Sequence, residues 1–517
     1  MIQLNFLGKE KGVPPQISKL LVTKPTEKKE VIPIYSIRQT ELFSFEELLQ
    51  MRPEDKYNQI FEHLDLVPLL QALHKPSGRG RKEDLNYPAM IYSLVIAKME
   101  GIEFVSSIVR RLRTSEEFRI QCRFTGSDRT PSEASYSRLI SALKHTDLLE
   151  KAMDRLVSQA CAEGFVTGTY VAVDSSAVEA WDCQFGEATA KRKASRRRKK
   201  QHLPEAQQID LDVSLAETEP PSMPLAKPVY GRGRVGAKEM DRRRVEREAY
   251  QASLPLFEKN IENMLPHAYD ELLAAMPRHA SKCAKKNSKG RLTSWYGYKA
   301  NVLVDTDSQY VLSGVLSSAH LNDQRMAVLL LKGLRLKYPT LPVKHVLADK
   351  GYDSTPIYTL TRSLGAYPVI DLIHKTDPPE GMNRDFRPVC KEGHAYRYDS
   401  FDSKYETLRY TLPSECKQCP FAKEGCQKVF KIRLETDVRK HTYPARGSER
   451  FAELYKKRTA VERVFAYLKG YFGLGRTRHR GVRATVDFQL SMLAYNLSKF
   501  ALDKLNKQLA VPYTQAS

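Results

Sequence analysis

Three acids stand out by where they fall in the chain. Asp174 follows the apolar run of VAVDSS, Asp349 closes VLAD ahead of KGYD, and Glu462 lies in FAELYKKRTAVERVFAYLKG, residues 451–470. Carboxylate oxygens are the ligands that hard divalent cations such as magnesium take, and such ions keep open positions for phosphate and water. Two of them about 4 Å apart activate an attacking oxygen and stabilise the leaving one in an in-line phosphoryl displacement. Three converging carboxylates would supply that arrangement. The acids are thus a candidate two-metal phosphoryl-transfer site, to be weighed against the fact that any globular protein ends some strands in acids.

Glu462 has polar company at helical spacing. At about 100° per residue, Tyr455, Arg458, Glu462 and Lys469 project in one stripe roughly 60° wide and about 21 Å long. That length suits a row of phosphates better than one small molecule. Leu454, Val461, Phe465 and Leu468 form the apolar seam such a helix needs to dock. The alternative is a solvated charged face on an ordinary amphipathic helix.

The cysteines carry a second chemistry. Of eight, Cys390, Cys416, Cys419 and Cys426 cluster as C-x25-C-x2-C-x6-C, while Cys122, Cys161, Cys183 and Cys283 are scattered and read as inert thiols in a reducing compartment. Four thiolates suit one tetrahedral zinc ion, and His394 can replace one of them. The strand-like RYDSFDSKYETLRYTL between them predicts a small zinc-stabilised β insertion. Four protein ligands leave no open position, so the site would be structural. Four unpaired thiols are the other reading.

The elements that must position these groups follow in order. Residues 1–40 form a Lys- and Pro-rich tail. Residues 41–166 are helical, with apolar residues three and four apart and stops at Pro or Gly. TPSE marks a helix start with Thr130 as cap. Exposed Arg110, Arg111, Arg113 and Arg138 fit a helical DNA-binding module, and a plain packing domain is the competing reading. At Gly168 the period changes, and TYVAVDSSAVEAW reads as a strand carrying Asp174 where it gives way to serines. Residues 185–290 are a basic insertion with KRKASRRRKK and DRRRVERE, expected to be largely disordered apart from a helical stretch in PLFEKNIENMLPHAYDELLAAM. It is either a solvated linker or an electrostatic arm on DNA. Order returns at Leu292 with a hairpin turning at Asp305, a polar exit holding His320, Asn322 and Asp323, a helix, and the strand ending at Asp349. Asp353 reads as a helix cap. A strand AYPVIDLI, the cysteine region, the Glu462 helix, the basic loop GLGRTRHRGVRATV and a closing apolar helix complete the chain, with residues 506–517 as a tail. This order predicts an α/β fold, a mixed sheet flanked by helices.

With 517 residues the chain has room for two or three domains. Lys and Arg number 83 against 61 Asp and Glu, a net charge of +22. Such an excess favours a polyanionic partner, nucleic acid first, although basic ribosomal and membrane-surface proteins share it. No apolar run reaches about 18 residues and the opening lacks a secretory core, so a soluble, cytoplasmic protein with no membrane partner is expected.

Taken together, VAVDSS, VLADKGYD and the Y-x2-R-x3-E-x6-K pattern of Tyr455, Arg458, Glu462 and Lys469 resemble the DDE-type insertion-sequence transposases with the Tyr-Arg-Glu-Lys signature. The four-cysteine segment resembles one subgroup of them. The resemblance spans about residues 45–505, the basic tract after Asp174 excepted. It implies a ribonuclease-H-like core in two parts, 167–376 and 447–505, interrupted by a cysteine-rich insertion at 377–446. It also implies cutting and joining of double-stranded DNA, the inverted repeats of an element and its target, with two magnesium or manganese ions. Asp174, Asp349 and Glu462 would be the metal triad, and Tyr455, Arg458 and Lys469 would contact phosphates near the cleaved end. A homodimer or larger assembly on DNA, in a prokaryotic nucleoid, would follow. The rivals are a catalytically silent DNA-binding descendant and a hydrolytic two-metal nuclease.

Overall fold

Ser44 and Glu47 cap each other's backbone at the first helix, Glu47 Oε2 accepting from Ser44 N at 2.6 Å and Ser44 Oγ from Glu47 N at 3.2 Å. The computed structural model describes residues 44–73, 85–144, 146–181, 225–286 except 232 and 234, 290–373, 377–420 and 426–514. The tail 1–40, KRKASRRRKK and Cys183 lie outside the described residues.

Eight helices come first: α1 (Phe45–Gln50), α2 (Pro53–Phe61), α3 (Val67–Leu73), α4 (Tyr87–Met99), α5 (Val105–Thr114), α6 (Glu116–Gln121), α7 (Glu133–Lys144) and α8 (Leu148–Ala162). Helix α4 is apolar nearly all round and is accordingly buried from Ala89 to Ala97. The cap of α7 is Ser132, whose Oγ accepts from Ser135 N at 3.2 Å. Thr130, the expected cap, instead accepts from Arg119 Nη1 at 2.7 Å.

Strand β1 (Tyr170–Ala180) opens the sheet. Within the expected insertion follow α9 (Ala237–Ser253), α10 (Tyr269–Ala275) and β2 (Ser281–Lys286), then β3 (Leu292–Asp305), β4 (Val311–Ser318), α11 (Asp323–Lys337), β5 (His345–Ala348), α12 (Thr355–Ser363) and β6 (Tyr367–Ile370). The expectation of largely disordered chain over 185–290 fails for its described part. Helix α9 buries no residue, and pairs such as Arg242 with Glu239 and Glu246 at 2.8 Å, three and four residues apart, support it. SKCAKK gains order as an edge strand on β3, from Ser281 opposite Gly297 to Lys286 opposite Leu292.

The cysteine region holds β7 (Arg397–Asp402), β8 (Thr407–Thr411) and β9 (Val429–Arg433) in an antiparallel sheet ordered β7-β8-β9. Then come α13 (Glu449–Lys457), α14 (Thr459–Tyr471), β10 (Arg476–Thr477) and α15 (Val482–Thr514). The closing helix thus runs through most of the stretch expected as a tail, and Lys507 near its end pairs with Glu163 at 2.8 Å.

The main sheet has the order β2-β3-β1-β5-β6, with β4 also on β3 and β10 also on β1. β3 runs antiparallel to β1, β2 and β4, whereas β5 is parallel to β1 and β6 to β5. Helices cover the sheet, α11 packing on β3 and β4, and α14 on β1 and β3. Helix α15 packs on α2, α4, α7 and α8 as well as β4. The N-terminal helices and the sheet therefore share one apolar core. The architecture is mixed α/β, a mixed sheet flanked by helices. No helix among the described residues is long and apolar enough to cross a membrane.

Candidate active site

Asp174 and Asp349 meet because two parallel strands are in register. Tyr170 pairs with His345, Val171 with Val346 and Ala172 with Leu347. The same register, carried two residues on, sets Asp174 beside Asp349 on strands about 4.8 Å apart. The sequence reading put Asp174 at a strand end; it lies in mid-strand, because β1 continues against β3 from Asp174 opposite Val302 to Glu179 opposite Gly297. What ends there is β5. Residues 171–173 are buried and 174–177 half-buried, which marks the point where β1 loses its parallel neighbour.

Burial first, opposed by the N–H of Ser175, and then the charge of Asp349 bring the Asp174 carboxyl up to about 6. Ser175 N donates to Asp174 Oδ1 at 2.8 Å, and the cations Lys285 and Arg458 also act on it. Asp349 keeps extended backbone, and its Oδ1 accepts from Gly351 N at 2.8 Å. Tyr352 is buried and in the field of Asp174, Asp323 and Asp349. Two facing carboxylates in a half-buried setting are a donor set of hard oxygens whose repulsion a divalent cation relieves, so the residues present fit such an ion.

Glu462 arrives on a helix that is not continuous. The stripe was expected on a single helix over residues 451–470; α13 and α14 are separated at Arg458. Its dihedrals stay helical (φ −53°, ψ −32°), but Arg458 N bonds to Tyr455 O and Val461 N to Arg458 O, both at 3.1 Å and three residues apart. Thr459 Oγ1 donates to Lys456 O at 3.0 Å, a side chain intruding on the ladder at the break. The apolar seam holds, since Leu454, Val461, Phe465 and Leu468 are all buried.

Arg458 Nη1 donates to Glu462 Oε1 at 2.8 Å, and the same guanidinium is in the field of Asp174. Tyr455 stacks on Phe451 with centroids 6.2 Å apart, lies 5.6 Å from the Arg458 guanidinium, and feels Asp349 and Asp371. Lys469 sits at the far end of α14, where its charged neighbour is Glu179. The structure thus brings Asp174, Asp349, Tyr455 and Arg458 together. Glu462 borders them through Arg458, and Lys469 stands apart. Among the described residues, the three acids do not form a group with all ligand atoms within 4.8 Å of one another.

Cys390, His394 and Cys416 do form one. Cys390 N bonds to His394 O, and Gly393 N to Cys390 O, both at 2.9 Å, a turn that folds the imidazole back over the thiol. Cys390 Sγ lies 3.6 Å from His394 Nδ1. Burial and then the neighbouring Cys390, Cys419 and Cys426 push the Cys416 thiol up to about 11. The four clustered cysteines are all free.

Two assignments change. Asp353, read as a helix cap, is a buried ion-pair partner: Arg439 Nε and Nη2 reach its two oxygens at 2.7 and 2.6 Å, and Ser354 occupies the cap position of α12. Lys285 was missed, because it lay in the stretch assigned to disorder; the alternation of SKCAKK beside WYGYKANVLVD was the available signal.

Residues 267–497 match the model of the transposase DDE domain, and residues 44–142 match that of a second transposase domain, DUF772. No curated protein matches the chain. Among solved structures it is similar to a piggyBac transposase, seen by cryo-electron microscopy in a synaptic complex with hairpin DNA, at 11% identity and a TM-score of 0.32, covering 89% of this chain and 74% of that one. The two family matches flank and contain most of the acids and helices described above, and on them the chain belongs to the DDE transposases of insertion sequences, enzymes that cut and join DNA.

Proposed function

We propose that Asp174, Asp349 and Glu462 hold the divalent metal of this transposase and that it cleaves the inverted ends of its own element and joins them to target DNA. The observation that carries this reading is the register that sets Asp174 beside Asp349, with Arg458 linking that pair to Glu462. The sheet order, three antiparallel strands (β4, β3, β1) followed by two parallel ones (β5, β6), supports a ribonuclease-H-like core. The metal, two magnesium or manganese ions, supplies activation of the attacking oxygen and charge stabilisation on the leaving one.

The chain's own groups do the rest. Asp174 and Asp349 on neighbouring strands fix two carboxylates rigidly, with Gly351 N orienting the second. When a DNA end arrives, Arg458 turns from Glu462 to a phosphate oxygen and frees that carboxylate toward the acid pair. Tyr455 backs the same guanidinium, and Lys469 contacts phosphate further along. Exposed Arg110, Arg113 and Arg138 on the helical segment 41–166 add contacts to duplex DNA. Two ends held at once call for a homodimer or larger assembly. In the insertion at 377–446, zinc held by Cys390, Cys416, Cys419 and Cys426, or with His394 in place of one thiol, has a structural role; the buried thiol cluster supports it.

The test is incubation of the full chain with labelled DNA from the ends flanking its gene, with magnesium, and resolution of the products. Cleavage and joined products are expected from the wild type, and neither from Asp349→Asn, which still binds ends. Cleavage by Asp349→Asn overturns the assignment. Cleavage without joining favours the nuclease reading, and binding without cleavage by the wild type the silent one.

A further inference from the structure

We propose that Gln324 is a positioning residue for Asp349, and that the polar segment His320–Gln324, after β4, serves as a bracket that aims this carboxylate. The inference rests on the reading of Asp349 as a metal ligand. Gln324 stands in the first turn of α11, yet its side chain leaves its own helix: Nε2 donates to Gly351 O at 2.8 Å. The preceding peptide, on the N–H side of Gly351, carries the consequence. Gly351 N donates to Asp349 Oδ1 at 2.8 Å. Grasping the Gly351 carbonyl thus fixes the loop whose N–H orients the acid.

The bracket is itself anchored. Asn322 Oδ1 accepts from Gln324 N at 2.8 Å and starts the helix. Lys299, on β3, donates to both Leu321 O and Asp323 Oδ1 at 2.8 Å, tying the turn to the strand next to β1. The path from β3 to Asp349 therefore runs Lys299, Asp323, Gln324, Gly351, with each link a hydrogen bond or one step along the chain. Position 351 tolerates no side chain without disturbing the acid, because a Cβ there would stand 2.8 Å from Asp349 Oδ1.

A merely structural role and a positioning role separate cleanly. The Gln324–Gly351 bond is open to solvent, so water can satisfy the Gly351 carbonyl once Gln324 is removed, and folding stability changes little. The direction of the Asp349 carboxylate is what loosens, and catalytic geometry is sensitive to displacements of about 1 Å.

The experiment titrates Mn2+ into the full-length protein without DNA, following free Mn2+ by electron paramagnetic resonance, for wild type, Gln324→Ala, Gln324→Glu and Asp349→Asn. Thermal midpoints are recorded alongside. The expected result is a half-saturating Mn2+ concentration about fivefold higher in Gln324→Ala, the size of one lost hydrogen bond. Gln324→Glu, equal in size but without the donor, should show at least the same shift. Both should melt within about 2 °C of wild type. Unchanged Mn2+ binding in both variants, with Asp349→Asn impaired, overturns the positioning role and leaves the Asp349 reading standing. Unchanged binding in Asp349→Asn overturns that reading and this inference with it.

Discussion

The Arg458 guanidinium lies between two carboxylates of opposite situation: it bonds Glu462 Oε1 at 2.8 Å on the solvent side and sits in the field of half-buried Asp174 on the other. The ion pair holds Glu462, whose side chain is 53% exposed. The guanidinium itself is only 17% exposed, so it keeps a partner of opposite charge, and the pair opens when a phosphate replaces Glu462 in that role.

From this follows a separation of function and stability at position 462. Glu462→Gln should reduce end cleavage by at least about a hundredfold, while its thermal midpoint stays within about 2 °C of wild type. Arg458→Ala should weaken DNA-end binding and flatten its salt dependence by about one phosphate contact. Cleavage assays, melting curves and binding at several salt concentrations check these outcomes.

Buried histidines contribute to the acid limb of stability, His345 and His441 foremost. His345 is held at about 4, by burial first and then by Arg450 and Lys344, and its Nδ1 has no hydrogen-bond partner among the described residues. A histidine with a lowered value favours the fold fully above its ordinary value near 6.5. That contribution, on the order of 3 kcal/mol, is lost as pH falls from there toward 4. His345→Phe keeps the ring stacked on Tyr170 and removes the titration. Denaturant melts between pH 7 and 4 should show a shallower acid loss in this variant; an identical slope would count against the assignment.

Asp353 and Arg439 join the core to the end of the cysteine insertion. The Asp353 side chain has no exposed surface, and Arg439 Nη2 also donates to Ile373 O at 3.1 Å. Asp353→Ala should destabilise the protein by about 3–5 kcal/mol, because it strands a largely buried guanidinium. Urea denaturation measures this, and a loss under about 1 kcal/mol would contradict it.

For the thiol cluster, elemental analysis of purified protein should find about one zinc per chain. Cys416→Ser should lose it and Cys122→Ser retain it, since Cys122 is buried among the N-terminal helices. A strong chelator should lower the thermal midpoint of wild type but not of Cys416→Ser.

Much of this was legible in the chain, for physical reasons that differ by position. The apolar seam from Leu454 to Leu468 could be read because helical periodicity is local, and the hairpin at Asp305 because the polar turn Asp305–Ser308 separates two buried apolar runs. The break at Arg458 could not: it depends on a Thr459 hydroxyl choosing the Lys456 carbonyl. Asp174 was found, but the end of β5 rather than of β1 defines its position, and strand pairing is a property of two segments some 170 residues apart. Helix α9 escapes a reading by composition, although the three- and four-residue spacing of Glu239, Arg242 and Glu246 is the local signal of the pairs that support it. Asp353 looks like a cap from its neighbours alone, and only tertiary contact with Arg439 gives it another role.

The central claim, that Asp174 and Asp349 share a divalent metal with Glu462 when DNA is bound, is tested most directly by Mn2+ anomalous diffraction from crystals of the protein with its end DNA. The account predicts an anomalous peak ligated by oxygens of Asp174 and Asp349, with Glu462 released from Arg458 and within reach of the same ion. A crystal that cleaves its DNA with the manganese bound elsewhere, and with Glu462 still on Arg458, would contradict it.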